Sequence, residues 1–438
     1  MKITIFTLGT RGDTEPYLAL AAGLHKAGHH VTLVAPQRYS DLIRAHGVNP
    51  LPMRLDVQEL FDRPQIDAIL KGRNVLRMFR TIREVFQAAT DAALDDYWQA
   101  SQDADFVVQT GIAHGGVEIA GQRNIPMAFA YVQPLAPTRA FPSYFFPLRF
   151  SLGGAYNKLT HALVSRLMWR TYGPPINRWR AARFGLPPWR SYAQMLNSRR
   201  HLQAPWLFGY SPNILPKPAD WENFHHVTGH WQLPSLKNWQ PPADLLNFLD
   251  SGPAPVHFGF GSMKDGNPER LTRETLRALE MTGQRGLLSV GWGGLARLPL
   301  PPTVRYVEEI PYAWLFPRVA AVVQHGGVGT IAEGLRAGVP NIVAPHVIDQ
   351  FATAHRVAEL GVGLRVTSMK KLTASELAPA IDRVLNDSSL RARAAALGGK
   401  IRAEPDGVGT AVQVIERYAE DFRRYGGPRT DQPRRIST

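Results

Sequence analysis

The 438-residue chain contains no cysteine, so disulfides, thiolate metal sites and cysteine nucleophiles are excluded. It holds no apolar run near the roughly eighteen residues that a membrane-spanning helix needs. Its first residues, Met1-Lys2-Ile3-Thr4-Ile5-Phe6, lack the layout of a signal peptide and read as a strand. The expected location is therefore cytoplasmic. Acid is scarce in one place. Between Glu118 and Asp220 there is no Asp or Glu, while thirteen Lys and Arg fall in that interval. Nearly all of the net charge of +14 thus lies in one quarter of the chain. Such a surface can be merely solubilising, or it can meet an anionic membrane or an anionic acceptor. No nucleic-acid module accompanies the charge, which argues against nucleic acid as a partner.

What is present is an ordinary globular composition, 44% hydrophobic and 20% charged, over a length that suits two domains of about two hundred residues. One stretch organises the rest. The apolar run Val319 to Val323 enters His325-Gly326-Gly327-Val328-Gly329-Thr330, and a second apolar run, Asn341 to Ala344, follows. This pattern is a βαβ unit whose glycine-rich turn opens a helix, with unpaired N–H groups and the helix dipole aimed at a ligand such as a phosphate. His325 can add a hydrogen bond or a positive charge there. Asp349 and Gln350 follow the next strand on the same rim, with the capacity to hold sugar hydroxyls.

His-Gly-Gly-x-Gly-Thr, then Ala-Gly-Val-Pro, then Pro-x-x-x-Asp-Gln resembles the donor-sugar motif of nucleotide-sugar glycosyltransferases with the GT-B fold. A glycine-rich turn alone is weak evidence, but the ordered set is specific. The resemblance implies an α/β protein of two Rossmann-like domains facing each other across a cleft. It places an acceptor domain at 1–215, a donor domain at 236–405, a helix at 406–425 returning to the first domain, and a disordered tail at 426–438. The proline-punctuated stretch near 213–235 is the expected linker.

Along the first half, a strand over residues 2–8 leads into Gly9-Thr10-Arg11-Gly12-Asp13-Thr14. A helix is expected with Pro16 near its first position, and His30 to Ala35 is the second strand. Asp13 stands at the C-terminal end of the first strand, where open α/β sheets bind ligands; a helix cap is the structural alternative. Gly-x-Arg-Gly-Asp with Pro-Tyr-x-Ala-Leu-Ala is similar to the signature of enzymes that glycosylate sterols, rhamnolipid precursors, macrolides and glycopeptides. There the aspartate is the candidate general base. Arg11 and Gly12 beside it are assigned to the donor side. Asp103-Ala104-Asp105 spells a metal-binding D-x-D pattern, but it precedes the strand Phe106–Gln109 and so reads as a surface turn at the wrong end of the sheet.

Val107-Val108-Gln109 and its glycine-bearing turn echo Val322-Val323-Gln324, which puts His114 in the cleft as an acceptor-site candidate. Residues 133–205 are rich in proline, aromatics and arginine, similar to sterol glucosyltransferases. Phe141 and Phe145 are candidates there for holding a hydrophobic acceptor, against simple packing. In the second half, Ser262 follows a strand and can reach a phosphate, Trp292 is a candidate for lining a base pocket against simple packing, and the segment from Ile310 to Phe316 is similar to the family's base-contacting segment. Thr330-Ile331-Ala332-Glu333 fits a capping box. The spacing from His325 to Glu333 also resembles plant glycosyltransferases whose glutamate holds the ribose hydroxyls.

The implied reaction is inverting transfer of a hexose, glucose foremost, from a UDP-sugar to a hydroxyl of a sterol, polyketide or other lipid. The resemblance implies no metal and no cofactor, the helix start substituting for a cation. A dTDP-deoxysugar transferase, a cell-wall lipid transferase, a nucleotide-sugar epimerase and a non-catalytic sugar- or lipid-binding protein are the alternatives.

Overall fold

The computed structural model describes residues 1–63, 75–146, 150–198, 203–236, 239–261, 267–290 and 294–425. The first sheet consists of β1 (Lys2–Phe6), β2 (His30–Pro36), β3 (Asn49–Met53), β4 (Phe106–Thr110), β5 (Met127–Tyr131), β6 (Trp206–Phe208) and β7 (His225–Val227). All pairings are parallel, in the order β3-β2-β1-β4-β5-β6-β7. The second sheet consists of β8 (Val256–Gly259), β9 (Gly286–Ser289), β10 (Val304–Val307), β11 (Ala321–Gln324), β12 (Asn341–Val343) and β13 (Gly363–Arg365). Its order is β10-β9-β8-β11-β12-β13, also parallel. Helices cover both faces of such sheets, so their central strands are buried on both sides and read as continuous apolar runs. Every residue of β4, β5 and β11 is buried.

The two sheets share one wiring. In each, the strand order reverses beside the first strand, between β1 and β4 and between β8 and β11. Ligands bind at the carboxyl ends of strands at such a switch point. The internal echo around Gln109 and Gln324 is this symmetry read in sequence, and two switch points then face each other.

The first domain runs past the expected limit at 215, because β7 pairs with β6 in the first sheet (Trp206 with His225). Its three residues are too short to signal a strand on their own. The first helix, Arg11–Lys26, starts five residues before Pro16, not at it. Asp13 and Thr10 stabilise that start well enough to tolerate a proline further in. Asp103 is exposed and pairs with Lys2 Nζ at 2.8 Å, and Asp105 accepts from the Lys2 N–H at 2.8 Å. The D-x-D pattern is thus a surface turn at the amino edge of the sheet. The expected disordered tail, 426–438, lies outside the described residues.

The last helix, Gly407–Tyr425, buries Val408, Ala411, Val412, Ile415 and Ala419 in the core of the first domain. Its apolar stripe recurs at helical spacing, so one face is covered along its length. The crossing against the first helix is close: a Cβ on Gly23 would lie 2.1 Å from Val408 Cγ1. Glu416 Oε1 lies 3.0 Å from His29 Nε2. At roughly 1.5–3 kcal/mol for each large apolar side chain, this seam ties the C-terminal end of the chain firmly to the first domain.

Candidate active site

Between the domains lies a cleft of about 3750 Å³, lined by loops at the carboxyl ends of both sheets. Arg11, Gly12 and Asp13 come from the loop after β1, and His114 from the loop after β4. From the other side come Ile310, His325, Gly327, Val328, Gly329, Thr330, Glu333, Asp349 and Gln350. Thirteen of the site candidates thus converge on one space although some are more than three hundred residues apart, and Phe145 also lines it.

Asp13 is held in place from one side only. Its Oδ2 accepts from the Thr10 backbone N–H at 2.9 Å and from the Thr10 hydroxyl at 3.2 Å. Both readings of Asp13 are therefore visible: one oxygen ties down the helix start, and Oδ1 has no hydrogen bond among the described residues. Gly9 makes this possible. Its φ is +126°, and a Cβ there would lie 2.3 Å from Asp13 Oδ2. Burial raises the Asp13 pKa to about 6, against the opposing Thr10 hydrogen bonds, with the negative charge of Asp349 across the cleft adding to the rise. A carboxylate with that pKa holds and accepts protons in the range where a general base works.

Opposite stands the helix Val328–Ala337. Its N-cap is Gly327, with no side chain capping it, so the first N–H groups are open to the cleft. A Cβ on Gly329 would meet nothing within 4 Å. An anion can come close to this turn and meet backbone donors and the positive end of the dipole. Gly326 is different. It is buried, with φ +99°, its carbonyl accepts from Thr353 Oγ1 at 2.7 Å, and it shapes the turn without lining the cleft.

His325 is buried, and its pKa is lowered to about 4 by that burial and by neighbouring His346. It therefore offers a hydrogen bond rather than the positive charge the sequence also allowed. Glycines make room for its ring: a Cβ on Gly327 would lie 2.6 Å from Nε2, and one on Gly261 2.7 Å from Cε1.

Glu333 does not cap the helix. The N-cap is Gly327, six residues before it, so Thr330-x-x-Glu333 falls inside the helix and cannot form the capping box. Its two oxygens instead accept from His230 Nε2 at 3.0 Å and Gln232 Nε2 at 3.2 Å, on the segment joining the domains. Gln350 spends its Oε1 on the N–H groups of His346 (2.8 Å) and Val347 (3.1 Å), which leaves its NH₂ as the group available to a sugar.

On the first domain's side of the cleft His114 is buried, with both ring nitrogens unpartnered among the described residues and its pKa lowered to about 3 by burial. Tyr172 and Tyr192 flank it, with centroids at 4.5 and 5.6 Å. Phe141 does not line the cleft. It packs beside Tyr144 and His161 at 5.9 and 6.3 Å, so its part is structural. Other side chains of the apolar wall, among them Phe86, Ile112 and Tyr172, were not singled out as site residues, because nothing local in sequence separates an apolar side chain in the cleft from a packed one. Ser262 and Trp292 lie outside the described residues. Among the described residues no three His, Asp or Glu side chains converge as a metal site requires.

Comparison with known proteins places this geometry. Residues 3–142 match the glycosyltransferase family 28 N-terminal domain, and residues 294–416 match the erythromycin biosynthesis protein CIII-like C-terminal domain. The chain is 34% identical over 432 residues to a sterol 3-beta-glucosyltransferase of Emericella nidulans, covering 96% of this chain but 30% of that relative. It thus spans about a third of the length of the curated relatives it matches. Among solved structures, the glycotransferase of kitacinnamycin superposes with a TM-score of 0.69 at 20% identity, covering 95% of this chain and 98% of the other. The Streptomyces sp. SF2575 glycosyltransferase SsfS6, in complex with thymidine diphosphate, gives 0.63 at 18% identity, covering 95% and 99%. At these identities the solved structures speak for the fold.

Proposed function

Because the chain belongs to the GT-B-fold glycosyltransferases, we propose that it transfers a hexose from a UDP-sugar to a hydroxyl of a hydrophobic acceptor, with inversion at the anomeric carbon. One juxtaposition supports this reading. A carboxylate with an oxygen free of hydrogen bonds among the described residues, Asp13, faces across one cleft the uncapped start of the Val328–Ala337 helix. An alcohol is a poor nucleophile at neutral pH. Asp13 takes its proton as the acceptor oxygen bonds to the anomeric carbon, and the bond from that carbon to the diphosphate breaks. The helix start receives the departing negative charge, with the neutral His325 donating beside it. No resident metal or cofactor enters the scheme, and turnover is expected to persist in excess EDTA.

The acceptor side is apolar, with Phe86, Ile112, Phe145 and Met168 on its wall. That surface, together with the name of the Emericella nidulans relative, supports a sterol-like or polyketide acceptor. A dTDP-sugar is the rival donor, favoured by one observation: both Glu333 oxygens are already engaged by His230 and Gln232, so ribose hydroxyls would have to share or displace those bonds. The deciding experiment offers labelled UDP- and dTDP-sugars with sterol, macrolide and flavonoid acceptors and reads products by mass. Transfer from UDP-glucose to a hydrophobic alcohol supports the proposal. Turnover from dTDP-sugars alone refutes the donor, conversion of donor without acceptor points to an epimerase, and binding without turnover points to a non-catalytic relative.

A further inference from the structure

The helix Gly154–Phe184 has two unlike halves. Its C-terminal half is anchored: Tyr172, Ile176 and Trp179 are buried, and Arg178 and Arg183 pair with Asp91 (2.6 Å) and Asp95 (3.4 Å). Its N-terminal half carries Leu159, Leu163 and Leu167 at 55%, 49% and 63% exposure, four residues apart and hence on one face. Phe150 and Leu152 just before it are also exposed, so five of the ten exposed large apolar side chains among the described residues fall within eighteen positions. Lys158, Arg166 and Arg170 border this stripe, exposed and in no ion pair among the described residues, though Lys158 lies near enough to Asp220 to act on its carboxylate. The stripe lies within the interval of sequence that has no acid at all. It also runs into the cleft: Val164, Leu167, Met168 and Arg170 line the acceptor side.

We propose that this stripe docks on an anionic lipid bilayer. A lone apolar face is compatible with many partners. A leucine row edged by cations that form no ion pair among the described residues complements a surface that is apolar below and anionic at the headgroups. The cleft then opens toward the bilayer, and a hydrophobic acceptor enters it without crossing water. Only this last step rests on the transferase reading; docking itself does not.

The test is co-sedimentation of the full chain, without donor or acceptor, with phosphatidylcholine vesicles containing or lacking phosphatidylglycerol. Binding is expected to need the anionic lipid and to weaken as salt rises, since exposed charges are screened beyond about 10 Å at 0.1 M. Leu159→Ser with Leu163→Ser, neither of which lines the cleft, should lower affinity by about a hundredfold, taking roughly tenfold for each leucine withdrawn from the interface. Arg166→Glu should lower it by roughly tenfold or more at low salt. The same variants should keep turnover on a water-soluble alcohol and lose it on a vesicle-embedded one. Retained circular dichroism and melting temperature check folding. No vesicle binding at low salt overturns the proposal, as does wild-type binding by the double-leucine variant. Self-association that the leucine variants abolish, in place of vesicle binding, would assign the face to a second copy of the chain.

Discussion

Replacing Asp13 by asparagine separates its two roles, because the amide keeps an oxygen for the Thr10 N–H (2.9 Å in the wild type) but cannot take a proton. With a pKa of about 6, the wild-type carboxylate is mostly ionised at pH 7, while at pH 5 only about a tenth remains ionised. The acceptor-dependent kcat/KM should therefore fall with unit slope below an inflection near pH 6. In Asp13→Asn the rate should drop by a factor of roughly a hundred to ten thousand, and that acid limb should vanish. Stability should move the other way. A carboxyl whose folded pKa is raised from 3.8 to about 6 contributes stability that is present below pH 4 and lost as pH rises through 6. Near pH 7.5 the ionised group thus costs up to about 3 kcal/mol, which the neutral amide avoids. The variant should melt at the wild-type temperature or above it. Asp13→Ala loses the cap as well and should surrender about 0.5–2 kcal/mol of any such gain. The assays are a pH–rate profile with labelled donor and thermal melts at several pH values. Near-wild-type turnover in Asp13→Asn, or an acid limb that survives it, refutes the general-base assignment.

Asp349→Asn removes a negative charge that raises the Asp13 pKa, so the acid limb should shift to lower pH while the donor KM rises; an unmoved limb would break the proposed coupling. Gly9→Ala puts a methyl where the Asp13 carboxylate lies and should cost most of the activity while donor affinity, read by calorimetry, changes little. His114→Phe removes two buried nitrogens without partners among the described residues, each costing about 1–3 kcal/mol when unsatisfied, so the variant should melt higher while its acceptor KM increases. Glu333→Ala should abolish a preference for UDP over dTDP if this carboxylate reads the ribose; an unchanged preference in a calorimetric titration would leave it only its bonds to His230 and Gln232. The buried neutral His114, His257 and His325 have lowered pKa values, so their contribution to stability is full above about pH 6.5 and lost as pH falls toward 4. Acid melts should show that loss.

By itself, the sequence determined the elements whose signals are local. The buried strands of parallel sheets are runs such as Val322-Val323, glycine turns mark the places where backbone must come close, and the last helix shows its stripe from Val408 to Phe422. Asp13, His325 and Asp349 were legible because residue type and position after a strand together specify a rim. Tertiary structure alone decided how each polar atom is spent. Glu333 met His230, a hundred residues away, only after the domains packed, and Gly327 rather than Thr330 became the N-cap because the turn after β11 had already set where the helix starts. Phe141 and Phe145 are four residues apart and alike in chemistry, yet one packs and the other lines the cleft. Periodicity tells that a side chain is apolar and which face it shares. What lies opposite that face is set by contacts distant in the chain, and so the apolar wall of the cleft and the exposed leucine row emerged only when the elements were assembled.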